Sequence, residues 1–382
     1  MQDKFSLNNR NFSYWEHDNL IEKRDYIIVG GGLVGLSTAI SIKEKYPGAS
    51  ILILERANIP YGASTRNAGF ACFGSISEII QDIDTLGTSE VEALIKRRWD
   101  GLRLLRDRVG DTILDYLALG GYEVFTADQK SDYNDCLTQL PEINLLIERS
   151  IGLPNCFQKV DHSFGMIHYE SLIYNQYEGQ IHPGKMMQHL KKTALEKGVE
   201  IANGIEVTSY EPTSAGISVS TTRIDLNFES SKLLLTTNAF TKSLLGDLDL
   251  MPGRNQVLMT KPIKDLKLKG CYHYDKGYVY FRNYKDRLLI GGGRNIALDE
   301  ETTDSFGLTD SIKNYLRGIV SNIILPNTPY EEDLWWSGII ATGATKKPIV
   351  QELSTNVYLG VRLGGMGVAM GSLIGQDLAD LV

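Results

Sequence analysis

Tyr26-Ile27-Ile28-Val29-Gly30-Gly31-Gly32-Leu33-Val34-Gly35 is the stretch on which the reading of this chain turns. A short apolar run stops at glycine, the pattern of a buried strand, and Leu33, Leu36, Ala39 and Ile40 then recur at helical spacing until Pro47-Gly48. Ser50–Leu54 reads as a second buried strand with Glu55 at its end. Strand, glycine turn, helix and strand in that order predict a βαβ unit on a parallel sheet.

The glycines at 30, 32 and 35 satisfy a G-x-G-x-x-G frame, and each has a separate task. Gly30 permits the tight turn, Gly32 lets a pyrophosphate approach the backbone, and Gly35 lets helix and strand pack closely. Leu33 and Val34 open the helix, whose free N–H groups and positive dipole end favour phosphates. Glu55 lies 20 residues past Gly35, placed to accept hydrogen bonds from adenosine ribose hydroxyls, and its charge disfavours a 2′-phosphate. The unit is read as dinucleotide-binding; by itself it does not separate FAD from NAD.

Working outward, 382 residues exceed what one core usually holds, so two domains are expected. A net charge of −8 argues against a surface built for nucleic acid or anionic lipid. Helical spacing from Thr88 to Gly120 puts Leu94, Ile95, Leu102, Leu105 and Val109 on one side. Its basic residues are interleaved with Asp100 and Asp107 and read as a solvated face. Cysteines 72, 136, 156 and 271 show neither CxxC nor pairing with His, so no disulfide framework and no metal site is expected. With no apolar leader at residues 1–5 and no stretch of ~18 apolar residues, the expectation is a cytoplasmic protein without a membrane span.

Residues 1–24, with Tyr14 and Trp15, read as an arm packed on the main body, and 121–180 as irregular. A helix is expected from Lys185 to Lys197 after His182-Pro183-Gly184, and a strand at Leu233–Leu235 running into Thr236-Thr237-Asn238. Residues 251–295 alternate as antiparallel strands, and the chain ends in strand, Gly364-Gly365-Met366-Gly367 turn and helix. His162, His168, His189 and His273 have no partner pattern and read as surface or core histidines.

Three further features favour flavin, one of them the antiparallel segment, which is inserted between two α/β portions and supplies a roof for a substrate pocket. Tyr61-Gly-Ala-Ser64-Thr65-Arg66-Asn67-Ala68-Gly69 sets small residues beside an Arg-Asn pair, suiting a loop along a phosphate and an isoalloxazine ring. The C-terminal glycine turn opens a helix whose N-terminus stabilises negative charge on a reduced ring. With these, with His182-Pro-Gly-Lys185, Pro252-Gly-Arg-Asn-Gln256 and Leu288-Leu-Ile-Gly-Gly-Gly-Arg294, the chain resembles the D-amino-acid oxidase superfamily of flavoproteins, which includes glycine oxidase, sarcosine oxidase and γ-glutamylputrescine oxidase. The resemblance runs from about Asp25 to Leu381.

That resemblance implies an α/β plus α+β fold: a Rossmann-like FAD-binding domain (20–120, 180–250 and 335–382) and a mostly antiparallel substrate domain (121–179 and 251–334), with an arm at 1–19. It assigns to the cofactor Gly30, Gly32, Leu33, Val34, Gly35, Glu55, Arg56, Ser64, Thr65, Arg66, Asn67, Gly69, Val207 (through its backbone, to adenine), Thr237, Asn238, Gly338, Arg362, Gly364, Gly365, Met366 and Gly367. FAD is expected to be non-covalent, since residues 337–350 contain no Cys and Cys72 reads as a buried structural thiol.

The implied reaction is oxidation of a C–N bond in a small amine or amino acid. Hydride passes to flavin N5 and an imine then hydrolyses, with dioxygen or another acceptor taking the electrons. Tyr278 and Tyr280, on one face by alternation, and Arg282 are the candidate substrate-side residues. Two departures matter. Relatives acting on amino acids often carry Arg two residues after Trp-x-Gly, where this chain has Ile340; Arg282 and Arg362 are the candidate substitutes. Leu289 stands where some oxidases have a lysine, leaving Lys346 or Lys347 in its place and both oxidase and dehydrogenase open. The alternatives are a hydroxy-acid dehydrogenase on the same scaffold, an NAD-dependent dehydrogenase, which the C-terminal glycine motif argues against, and a non-catalytic FAD-binding protein.

Overall fold

The computed structural model describes residues 13–16, 21–161, 164–167, 169–223, 226–246 and 248–382. His162 and His168 lie outside them, as does most of the N-terminal arm; the described turn Tyr14–Glu16 leaves both Tyr14 and Trp15 largely exposed.

Two eight-stranded sheets organise the chain. The first runs in the order Ile349–Ser354, Val357–Val361, Asn227–Leu235, Arg24–Val29, Ile51–Glu55, Glu200–Asn203. It is parallel from Val357–Val361 through Glu200–Asn203. Val207–Thr213 and Gly216–Thr221 join it as an antiparallel extension on Asn227–Leu235. Its central strands are covered on both faces, which is why they read as unbroken apolar runs rather than alternating ones.

Helix Leu33–Lys45 is buried from Leu33 to Ile42 because the final helix, Gly367–Asp380, covers it. Small residues set that approach. A Cβ on Gly371 would stand 2.5 Å from Leu33 Cδ2, and one on Gly375 2.5 Å from Ser37 Cβ. Thr88–Val109 closes the layer, with Gly101 against the Ala369 carbonyl.

The second sheet has the order Glu332–Thr342, Met251–Thr260, Arg287–Gly292, Val279–Tyr284, Cys271–Tyr274, Gly121–Thr126, Tyr169–Asn175, Phe157–Val160. It is antiparallel except where Cys271–Tyr274 meets Gly121–Thr126. One face carries Tyr272, Val279, Phe281 and Ile290 into a core under helix Asp310–Ile319. The alternate residues His273 and Tyr280 therefore face the other way, toward the first sheet's glycine loops.

The structure departs from expectation in three places. Residues 121–180 are not irregular: they hold four strands and the 22-residue helix Lys130–Ile151. Pro141 inside that helix is the residue that ordinarily ends one, and it hid the apolar face of Tyr133, Cys136, Ile143, Leu146 and Ile147. The helix begun at Thr88 stops at Val109, where Gly110 takes a positive φ of 86°. Strand Glu332–Thr342 runs across the expected boundary at 334/335 and pairs along its length with Met251–Thr260. Among the described residues no helix is long and apolar enough to cross a membrane.

Gly101 tests the helix layer. A Cβ there would lie 2.1 Å from the Ala369 carbonyl oxygen, so Gly101→Ala is expected to cost about 1–3 kcal/mol of unfolding free energy in denaturant titrations. Gly318→Ala, also in a helix but with nothing within 4 Å, should be neutral or stabilising by ~0.5–1 kcal/mol.

Candidate active site

Two connected cavities lie between the sheets. The first, a narrow cleft of ≈ 190 Å³, begins at the glycine turn. Gly30 N–H donates to the Leu54 carbonyl (2.9 Å), and Thr236 Oγ1 donates to the carbonyls of Val29 (2.8 Å) and Gly30 (3.1 Å). These bonds tie the ends of the neighbouring strands to the turn. A Cβ at residue 35 would fall 2.0 Å from the Gly30 carbonyl oxygen, so only glycine lets the helix start this close. Leu33 N–H donates to Ser64 Oγ (2.9 Å), tying the loop after the second strand to the helix N-terminus. The buried Glu55 carboxylate accepts from Gly31 N–H (2.8 Å) and Ala57 N–H (3.0 Å), which orients it along the cleft wall.

The residues fit an extended dinucleotide. Gly32 offers bare backbone, with only Ser64 Oγ near a would-be Cβ, and around Gly364, Gly365 and Gly367 a Cβ would meet nothing within 4 Å. Gly30, Gly32, Leu33, Val34, Glu55, Arg56, Ser64, Asn67, Val207, Thr237, Asn238, Gly364, Gly365 and Gly367 all line this cleft. Arg56 lies over the Phe240 ring at 3.8 Å, an aromatic floor that no sequence signal announced.

Ala63, Asn67, Ile340, Gly364, Gly365 and Val368 border both spaces, so the cleft opens directly onto a second cavity of ≈ 620 Å³. Arg66, Gly69, Gly338 and Met366 line that one, with Tyr278 and Tyr280. Arg66 donates to the Ser337 carbonyl (2.5 Å) and stacks on Tyr61 at 3.7 Å. Asn67 braces its loop by donating to Ala63 and Ser64 carbonyls and accepting from Gly69 N–H.

Six of the residues singled out from sequence sit elsewhere. Gly35 packs behind the turn, and Thr65 lines neither cavity and donates to the Pro60 carbonyl. Arg282 is outside both cavities; it is buried, donating to Gln180 Oε1 (2.8 Å) and the Ile181 carbonyl (3.1 Å). Arg362 lines neither cavity and is committed to Asp249, the Lys347 carbonyl and Thr345. Leu289 is buried against Ala68 and Tyr280. Of the two lysines, Lys346 lines the cavity, paired with Asp82 at 2.5 Å, whereas Lys347 pairs with Glu90 away from it.

What sequence reasoning missed is the charged lining: Glu78, Asp82, Arg98, His273, Lys276 and Arg294. These come from helices, a strand and loops distant along the chain, and of them only Arg294 lies in a motif, Leu288-Leu-Ile-Gly-Gly-Gly-Arg294, which assigns its charge no role. His273 Nε2 meets Glu178 at 2.8 Å, both buried. Burial opposes the imidazolium, but the Glu178 carboxylate, with Glu78 and Glu123, outweighs it and raises the His273 pKa to about 9. Burial pushes the Glu123 carboxyl up to about 7, against the hydrogen bonds it accepts from Ser77. Cys72 Sγ completes a trio with Glu178 and His273, their donor atoms within 4.8 Å of one another. Burial and Glu178 hold that thiol well above the usual range, hence protonated. All four cysteines are buried and free.

Two tests follow from this geometry. Gly35→Ala should raise the FAD dissociation constant roughly tenfold or more, the equivalent of about 1.4 kcal/mol, read by flavin fluorescence titration with circular dichroism as the check on folding. For His273, the folded pKa lies above its ordinary 6.5, so the ion pair stabilises fully below that pH and loses its contribution as pH rises through about 9. The Tm gap between the parent protein and His273→Gln should be widest below pH 6.5 and close toward alkaline pH; a constant gap would contradict the charged pair.

A profile of the DAO family, described as FAD dependent oxidoreductase, matches residues 25–381. Among curated proteins, the chain is 23% identical to γ-glutamylputrescine oxidoreductase of Escherichia coli, over 94% of this chain and 83% of that protein. It is 22% identical to the probable oxidoreductase OrdL of Haemophilus influenzae, over 95% and 83%. Among solved structures, L-proline dehydrogenase of P. horikoshii superposes with a TM-score of 0.74 at 16% identity, covering 95% of this chain and 94% of that one. Glycine oxidase of Geobacillus kaustophilus superposes with 0.71 at 19%, covering 94% of each. The chain belongs to the DAO family of FAD-dependent oxidoreductases.

Proposed function

We propose that this FAD-dependent oxidoreductase oxidises the C–N bond of a small amine or amino acid in the second cavity. The observation that carries the reading is the direct opening of the dinucleotide cleft onto a charge-lined space through Asn67, Ile340 and Gly364-Gly365. γ-Glutamylputrescine oxidoreductase, glycine oxidase and L-proline dehydrogenase are, by name, enzymes of amino compounds, which favours that substrate class over hydroxy acids.

When bound, FAD, held non-covalently in this reading, supplies the two-electron acceptor for hydride from the carbon bearing the amine. The protein's share is orientation, exclusion of water and proton management. Tyr280 forms one wall, its ring edge-on to Phe70 at 5.8 Å, and Phe70 in turn meets His273 at 5.5 Å. Burial pushes the Tyr280 hydroxyl pKa up, so the group stays neutral and is able to donate a hydrogen bond. Glu78 presents a half-buried carboxylate to the cavity, an acceptor for the proton that an ammonium group releases before hydride leaves its carbon.

The deciding experiment is anaerobic bleaching of the visible absorbance of FAD-loaded protein against a panel of amines, amino acids and hydroxy acids. Bleaching by an amine or amino acid with release of a carbonyl product is expected. Bleaching by hydroxy acids alone would transfer the chain to the hydroxy-acid reading, and a flavin that no member of the panel reduces would count for a structural cofactor.

A further inference from the structure

We propose that Arg294 is the carboxylate anchor of the second cavity, and that the substrate is accordingly an amine that also bears a carboxylate. This rests on the reading of that cavity as the site of amine oxidation. Six cationic side chains line it: Arg66, Arg98, His273, Lys276, Arg294 and Lys346. Five already have partners. Arg66 holds the Ser337 carbonyl, Arg98 the Phe73 carbonyl, His273 Glu178, Lys276 Asp132 and Lys346 Asp82. Arg294, half-buried, makes no hydrogen bond or ion pair with any described residue; its aromatic neighbour is the Tyr278 ring, 6.0 Å away. A guanidinium facing a cavity with its donors free is matched by a planar anion that accepts two parallel N–H bonds, and a carboxylate has that shape.

Its position supports the same conclusion. Gly253 and Ile340 stand opposite each other in the antiparallel pair, so their side-chain positions share one face. A Cβ on Gly253 would lie 3.3 Å from Arg294 Nη1 and 3.5 Å from Ile340 Cγ1. The guanidinium therefore rests on the bare patch beside Ile340, where relatives acting on amino acids carry their arginine. The charge reaches the same face of the same sheet from a different point in the chain.

Gly291-Gly292-Gly293 aims it there. A Cβ on Gly291 would strike the Tyr280 ring at 2.7 Å, and one on Gly292 would sit 1.9 Å from the Tyr278 carbonyl oxygen. Gly292 and Gly293 take φ values of 102° and 78°, and Gly293 N–H donates to that same Tyr278 carbonyl (2.8 Å). This turn brings Arg294 back over the strand end beside Tyr278.

The test is binding rather than turnover. FAD-loaded protein is titrated with acetate, 2-furoate and benzoate, and with benzamide as the uncharged counterpart of benzoate, following both the visible flavin spectrum and the thermal midpoint. The parent protein should bind the carboxylates. Arg294→Ala should weaken them by about 10–100-fold, the loss expected of a charged hydrogen-bonded pair, with benzamide and FAD content unchanged. Adding Ile340→Arg to Arg294→Ala should restore carboxylate binding. Absence of carboxylate binding in the parent protein, or equal weakening of benzoate and benzamide in Arg294→Ala, overturns the proposal. Because none of these probes is an amine, failure of the amine-oxidation reading would show instead in the bleaching panel.

Discussion

The contact between the Gly30 carbonyl and residue 35 governs much of this molecule. Helix and strand meet so closely that a methyl group at 35 has no space. That closeness places the helix N-terminus at the mouth of the parallel sheet, where bare backbone faces the cleft. The helix thus enclosed must itself be covered, and Gly367–Asp380 covers it through small residues of its own. The last helix of the chain is thereby locked to the first, and its N-terminal glycines arrive at the far end of the same cleft.

The second sheet depends on that arrangement in a different way. Alternation divides each strand between an apolar core under Asp310–Ile319 and a polar face turned to the cleft. Tyr272 and Phe281 go one way, His273 and Tyr280 the other. Helix Ile76–Leu86 adds Glu78 and Asp82 from the side, so the cavity wall is built from segments some two hundred residues apart in sequence. Buried charges are tolerated because they are paired: His273 with Glu178, and Lys346 with Asp82.

Arginine shows how role and position separate in such a site. Arg282 and Arg362 are both near the right place along the chain, yet each is consumed by neighbours: a glutamine and a carbonyl for one, an aspartate, a carbonyl and a threonine for the other. Arg294 is left with its donors open by a glycine turn that carries no charge signal of its own.

Local pattern was enough for the βαβ unit and the mixed two-sheet class, because glycine spacing and apolar runs act over neighbours in sequence. Fourteen of the residues that the family resemblance implies for the cofactor line the cleft, from Gly30 to Gly367. The helix around Pro141 escaped that logic, since tertiary packing of its apolar face overrides a local breaker. The charged lining escaped it too. Whether a carboxylate or guanidinium is spent on a neighbour or left facing a cavity depends on which strands are juxtaposed and on which face each side chain emerges. The sequence by itself determined where glycines leave bare backbone at the strand and helix ends; only the tertiary structure decided which charges face the cavity, because those charges are selected by pairing across elements far apart in the chain.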